Sequence, residues 1–153
     1  RGIRSITVPI TETKEQAESL VRSCFFAPTG FRSFTGRRIL RYGLSGDFKT
    51  VMEDTNASFL LVPQLETITG YNNLDEILTV NDIEVFAGGP NDLAQSMGHV
   101  GEADHPDCLR VTTEGEAKIH AAGKKVSSDV MLGLDATESV QDSIAAFLKE
   151  NGR

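Results

Sequence analysis

Apolar side chains recur along this chain at two alternating periods, one of two residues and one of three to four. Ser5-Ile6-Thr7-Val8-Pro9-Ile10 alternates polar and apolar positions as a first strand does. Thr13 then opens a helix, with Gln16 three residues on in a capping-box pattern, and Ala17, Leu20, Val21 and Cys24 share one helical stripe. Residues 28–46 hold four glycines with Arg32, Arg37, Arg38 and Arg41 and no sustained period, which reads as a long, functional or mobile loop. Asp47 opens a short helix with Phe48, Val51 and Met52 inward, and the apolar run from Phe59 to its end at Glu66 reads as a strand. A helix over about residues 67–78 carries Ile68, Tyr71, Leu74, Ile77 and Leu78, and residues 83–88 form the next strand, leading to Asp92. A loop over residues 98–104 precedes a helix with Pro106 in its first turn and Gly123 as its C-terminal cap. Val130-Met131-Leu132-Gly133-Leu134 reads as a last strand, and Val140, Ile144, Phe147 and Leu148 mark a final helix.

Strand and helix in turn predict a parallel sheet with helical crossovers, an α/β fold. The rhythm breaks once. Lys124-Lys125-Val126-Ser127-Ser128 looks like the start of a strand, yet the next strand begins at about Asp129. Parallel neighbours need a crossover of about a dozen residues or more. Either Val126 to Ser128 is a loop, or residues are missing between Ser128 and Asp129; the second is the expectation.

Composition narrows the function classes. The 153 residues, 39% hydrophobic and 24% charged, make an ordinary globular chain, read as one domain over residues 1–153. A net charge of −7 argues against nucleic acid or an anionic membrane surface as partner. No apolar run reaches membrane-spanning length and no secretory signal is present. Cys24 and Cys108 have no metal-ligand spacing and fall on apolar helix positions, so they read as reduced core thiols of a cytoplasmic protein. The chain opens at Arg1, four residues ahead of a strand, and reads as part of something larger.

Two carboxylates carry the candidate chemistry. Glu66 closes Phe59-Leu60-Leu61-Val62-Pro63-Gln64-Leu65-Glu66, and Asp92 follows Ile83-Glu84-Val85-Phe86-Ala87-Gly88-Gly89-Pro90-Asn91. Each alone reads as a helix cap or an exposed charge. Together, at the C-terminal ends of two strands, they are what a hard divalent cation with open coordination positions requires.

Further blocks give the chain a resemblance. Val8-Pro9 with Thr13-Lys14-Glu15-Gln16-Ala17, Ala27-Pro28-Thr29-Gly30-Phe31-Arg32-Ser33, Val62-Pro63-Gln64-Leu65-Glu66-Thr67, Gly89-Pro90-Asn91-Asp92-Leu93, Gly98-His99-Val100-Gly101 with His105-Pro106-Asp107, and Gly133-Leu134-Asp135 follow in order. They resemble the HpcH/HpaI aldolases, the metal-dependent class II pyruvate aldolases that include relatives of the citrate lyase beta subunit. The resemblance implies a (β/α)8 TIM barrel of which this chain is the part from strand 4 onward, an incomplete barrel. It implies Glu66 and Asp92 as ligands of Mg²⁺ or Mn²⁺, or of Co²⁺, and Gln64 as a contact of bound pyruvate. Gly89, Asn91 and Asp92 match the positions whose backbone N–H groups hold the pyruvate carboxylate, with Asn91 departing from the small residue usual there. Val8 and Pro9 match the apolar wall beside the substrate.

The implied reaction makes or cleaves 4-hydroxy-2-oxo acids through a metal-stabilised pyruvate enolate, with an aldehyde as the other partner and a homo-oligomer as the assembly. Two alternatives stand beside it: a related enolate-forming lyase, decarboxylase or citrate synthase-like enzyme using oxaloacetate, and a non-catalytic barrel remnant. No lysine stands at a strand end between apolar neighbours, as a Schiff-base enzyme would need. In the resembled family the general base and an alkoxide-facing arginine come from early strands, outside this chain. His99 and His105 lie in the loop after the Asp92 strand and read as loop residues, with His105 or Asp104 capping the next helix; His120 reads as solvated. The four loop arginines read as a solvated or interface loop, or else reach an anionic substrate. Asp135 is a cap or structural residue, and a weak third-ligand candidate.

Overall fold

The computed structural model describes residues 3–34, 42, 47–130 and 136–151. Among the described residues four strands, β1 (Ser5–Val8), β2 (Leu60–Leu65), β3 (Val85–Gly88) and β4 (Lys125–Val126), form one sheet in sequence order with every pairing parallel. Ser5 lies opposite Leu60, Gln64 opposite Ala87, and Val85 opposite Lys125. Between the strands run α1 (Lys14–Cys24) and α2 (Phe48–Ala57), then α3 (Ile68–Asn72) and α4 (Leu74–Ile77), then α5 (Pro90–Ser96) and α6 (Pro106–Ala121). A helical turn α7 (Ser127–Val130) and the helix α8 (Ala136–Glu150) complete the described elements.

The core follows from the two periods. Ala17, Val21 and Phe25 from α1 and its end meet Leu61 and Leu65 of β2, Leu74 and Ile77 of α4, Phe86 of β3 and Ile119 of α6 in one buried cluster. The central strand β2 is paired on both sides and nearly all apolar, as a strand covered on both faces must be. Thr13 caps α1 as its spacing predicts: Gln16 N–H donates to Thr13 Oγ1 (3.2 Å) and Thr13 N–H donates back to Gln16 Oε1 (3.1 Å). Asp47 caps α2, where Phe48, Val51 and Met52 are half-buried.

Three expectations need correction. The first strand ends at Val8, not at Ile10, because Ile10 takes φ 53°, a left-handed conformation that a β-branched residue rarely adopts. The helix expected over residues 67–78 breaks at Asn73, whose backbone leaves the helical region (φ −94°, ψ 7°) while its Nδ2 donates to Glu12 O at 2.9 Å. A helix not foreseen, α5, begins immediately after Gly89, with Pro90 at its first position. The strand start read at Val126 is present, where Val126 pairs with Phe86 in β4, and this sets aside the loop alternative; Ser128 and Asp129 follow in α7.

Val130 closes that turn, and the rest of the expected strand from Val130 to Leu134 lies outside the described residues. α8 carries Val140, Ile144, Phe147 and Leu148 as foreseen, all exposed. Both thiols are free, Cys108 buried and Cys24 half-buried, and burial pushes the Cys24 thiol up, away from the reactive thiolate. Among the described residues no helix is long and apolar enough to cross a membrane.

Candidate active site

Glu66 and Gly89 come together because β2 and β3 end level with each other. Leu65 lies opposite Gly88, so the next residues on each chain stand side by side beyond the sheet. Their approach is close: a Cβ placed on Gly89 would fall 2.5 Å from both Cβ and Oε2 of Glu66, and 2.9 Å from Nε2 of Gln64. Gln64 also crosses to the neighbouring strand end, donating from Nε2 to Gly88 O at 3.3 Å. Gln64, Glu66 and Gly89 therefore form one cluster at the strand ends.

The loop between β1 and α1 is tied across the end of β2 and holds Glu66 in place. Thr11 N–H donates to Gln64 O (3.1 Å), and Ile10 N–H donates to Glu66 Oε1 (2.7 Å). Farther along, Thr67 Oγ1 donates to Glu12 Oε1 (2.7 Å) and accepts from Gly70 N–H at the start of α3. The Glu66 side chain is 3% exposed, an unusual place for a carboxylate, and Oε1 is satisfied by one charge-assisted bond. Among the described residues Oε2 has no hydrogen-bond donor, and it faces the space that the missing Gly89 side chain leaves.

Asp92 occupies the third position of α5, exposed at the first turn, and Asn91 precedes it, also exposed. Among the described residues no side chain caps this helix start. α5 is anchored to the Glu66 flank through Ser96, whose Oγ accepts from Ile68 N–H (2.9 Å) and donates to Leu93 O (2.8 Å). Val8, opposite Pro63 in the register, is half-buried, and Pro9 is exposed beside it.

The other candidates separate. The Arg32 guanidinium stacks over the rings of Phe26 (4.9 Å) and Phe59 (5.5 Å) and donates to Cys24 O, a packing role that sets aside an anion contact for this arginine. Arg37, Arg38, Arg41 and Asp135 lie outside the described residues. His105 caps α6, accepting from Asp107 N–H at Nδ1 (3.2 Å), as one of the two capping alternatives holds. His120 is exposed and pairs with Asp129 (2.8 Å).

Sequence reasoning missed two things. One is Ile10, whose N–H secures Glu66; nothing in a Pro-Ile pair signals a left-handed isoleucine. The other is a group of three potential ligands, His99, Glu102 and His105, with one donor atom from each within 4.8 Å of the others. Its signal was present as the spacing His-x-x-Glu-x-x-His.

The family model of HpcH/HpaI aldolase/citrate lyase matches residues 1–151. The chain belongs to that family. Among its relatives, a 2-keto-3-deoxy-L-rhamnonate aldolase from Klebsiella pneumoniae is 37% identical over 123 residues, covering 80% of this chain and 46% of the relative. A hydroxypyruvate/pyruvate aldolase from Roseovarius nubinhibens is 33% identical, covering 80% and 48%. This member of the HpcH/HpaI family thus spans about half the length of the curated relatives it matches. An HpcH/HpaI family protein from Burkholderia cenocepacia superposes with a TM-score of 0.70 at 28% identity, over 80% of this chain and 49% of that one. The citrate synthase SbnG superposes with a TM-score of 0.78 at 20% identity, over 99% and 64%, a likeness of fold alone. The four-stranded parallel sheet is accordingly part of a TIM barrel, and its strand-end residues stand where such barrels keep their active sites.

Proposed function

We propose that the whole protein is a class II aldolase, a carbon–carbon lyase that cleaves or forms 4-hydroxy-2-oxo acids, with Glu66 and Asp92 as its metal ligands. The observation that carries this is the Glu66 carboxylate, fixed through Oε1 by Ile10 N–H while Oε2, without a donor among the described residues, stands beside Gly89. A carboxylate oriented through one oxygen by the backbone has its other oxygen open to a cation or to water. An all-oxygen set of two carboxylates with room for water suits Mg²⁺ or Mn²⁺, or Co²⁺. When bound, such an ion polarises the keto group of the oxo acid and stabilises the negative charge that develops as its methyl proton leaves.

The chain's own residues do the rest. Gln64 presents its amide toward the end of β3 as a contact for pyruvate, or for oxaloacetate in the related condensing and decarboxylating reactions. The uncapped start of α5, at Gly89, Asn91 and Asp92, offers backbone N–H groups to the substrate carboxylate. Val8 and Pro9 form the apolar wall beside it. The general base and the alkoxide-facing arginine are assigned to residues outside this chain, and the working form to a cytoplasmic homo-oligomer. The reading that residues are missing between Ser128 and Asp129 rests on the short interval in the sequence between Val126 and the strand read from Val130.

The test is exchange of pyruvate methyl protons in D₂O, with Mn²⁺ or Mg²⁺ against EDTA. Metal-dependent exchange that Glu66→Gln and Asp92→Asn both abolish is the expected result. Exchange that persists in EDTA overturns the metal role. Metal and pyruvate binding without exchange supports the non-catalytic remnant instead.

A further inference from the structure

The loop joining α5 to α6 holds a second group of metal-ligating side chains, separate in chemistry from the two carboxylates at the strand ends. Its backbone folds in successive tight turns. His99 N–H donates to Ala94 O (2.8 Å), Glu102 N–H to His99 O (3.0 Å) and His105 N–H to Glu102 O (2.9 Å). The second and third of these turns close three residues back, and Gly101, at φ 81°, supplies the left-handed step that lets the loop turn. Donor atoms of residues 99, 102 and 105 come together in this loop. The two imidazoles stack with ring centroids 3.5 Å apart and planes 13° from parallel, both half-buried, with the exposed Glu102 carboxylate beside them.

We propose that His99, Glu102 and His105 bind a borderline divalent transition ion, with Zn²⁺ as the reference case. Two imidazole nitrogens and one carboxylate oxygen form a donor set for Zn²⁺, Co²⁺ or Ni²⁺ and a poor one for Mg²⁺, which takes oxygen ligands. The donor atoms lie within 4.8 Å of one another, against about 3.4 Å between tetrahedral Zn²⁺ ligands, so binding draws the loop inward and turns the two rings out of their stack until their in-plane lone pairs converge.

A carboxylate stands on the far side of the pair. Asp107 Oδ2 lies 4.0 Å from His99 Nε2 and 3.8 Å from His105 Nδ1, beyond hydrogen-bond range but within reach once the rings turn to bind an ion. Ligating histidines characteristically turn their second nitrogen to such a carboxylate, which fixes the tautomer. That arrangement leaves His99 Nδ1 and His105 Nε2 for the ion. Coordination at His105 Nε2 moves the ring proton to Nδ1, so Nδ1 ceases to accept from Asp107 N–H and donates to the Asp107 side chain instead. The bound ion clasps the segment between α6 and α5, the helix that carries Asp92.

The experiment measures Zn²⁺ binding to the full chain, stripped of metal, by competition against a chromogenic chelator in millimolar Mg²⁺. His105→Asn removes the ligand and keeps a good helix cap, so the variant folds; His99→Gln is its companion. One Zn²⁺ per chain is expected in the wild type and in Glu66→Gln/Asp92→Asn, with loss of that site in His99→Gln and His105→Asn. Asp107→Asn is expected to weaken it about 10–100-fold. Zn²⁺ binding unchanged in both histidine variants, absent from the wild type, or lost in the double acid variant overturns the assignment. Because the acid variant retains the Zn²⁺ site, failure here leaves the enolate reading intact, and failure there leaves this one.

Discussion

Gly89→Ala is the most direct probe of the strand-end cluster. The added Cβ falls 2.5 Å from Glu66 Cβ, where carbon atoms settle at about 3.5–4.0 Å, so about an ångström must open. Rotating the Glu66 side chain relieves the contact with Oε2 but not that with Cβ, which is fixed to the central strand. The backbone at Gly89 is φ −140°, a region alanine accepts, so the substitution also gains about 0.4–1 kcal/mol by restricting the unfolded chain. Against this stand an overpacking cost of about 1–3 kcal/mol and the partial loss of the Ile10–Glu66 hydrogen bond, itself worth about 1.5–3 kcal/mol. The net expectation is a loss of about 2 kcal/mol, a fall in melting temperature of roughly 4–8 °C for a chain of this size. Urea unfolding followed by circular dichroism measures the first, and Mn²⁺ titration read by electron spin resonance measures the displaced ligand. A variant within about 0.5 kcal/mol of the wild type that also binds Mn²⁺ as tightly refutes the close packing of Gly89 on Glu66.

Two further outcomes follow from other contacts. Asn56 clamps the Phe26 backbone, accepting from its N–H at 2.8 Å and donating to its carbonyl at 3.0 Å, so Asn56→Ala should cost about 2 kcal/mol in urea unfolding. Asp47 caps α2, and a hydrogen bond from the Thr50 hydroxyl, followed by one from Thr50 N–H, holds its carboxyl below the usual carboxylate range. A depressed folded-state value means that this stabilisation is present above the unfolded-state pKa and is lost as pH falls through the folded one. Asp47→Ala should therefore be less stable than wild type at neutral pH, by less than Asn56→Ala, with the gap closing in acid; thermal melts from pH 7 down to pH 2 check both points.

Much of the fold was legible because it rests on local rules. The capping box at Thr13 and the cap at Asp47 are satisfied within a single turn. The pairing of Val126 with Phe86 was half visible as the start of a strand, but only the register with β3 fixes it. The helix over residues 67–78 was misjudged at Asn73 because its partner, the Glu12 carbonyl, is 61 positions away. Asn73 could continue a helix on propensity alone; a distant acceptor stopped it.

The same division runs through the site. Sequence alone singled out the side chains proposed to carry chemistry: Glu66 closing one apolar run with Gln64 two residues ahead of it, and Asp92 just beyond another with the glycine-proline pair ahead of it. A strand ends where its hydrophobic run ends, so these residues were bound to lie at the rim of a parallel sheet. Tertiary structure alone decided how they meet. The level ends of β2 and β3 set Glu66 against Gly89, and the β1–α1 loop turned Ile10 left-handed so that its N–H reaches Glu66 Oε1. A backbone amide carries no side-chain signature, and φ at a β-branched residue is set by what the loop must reach. Neither can be written in the residues that make the contact.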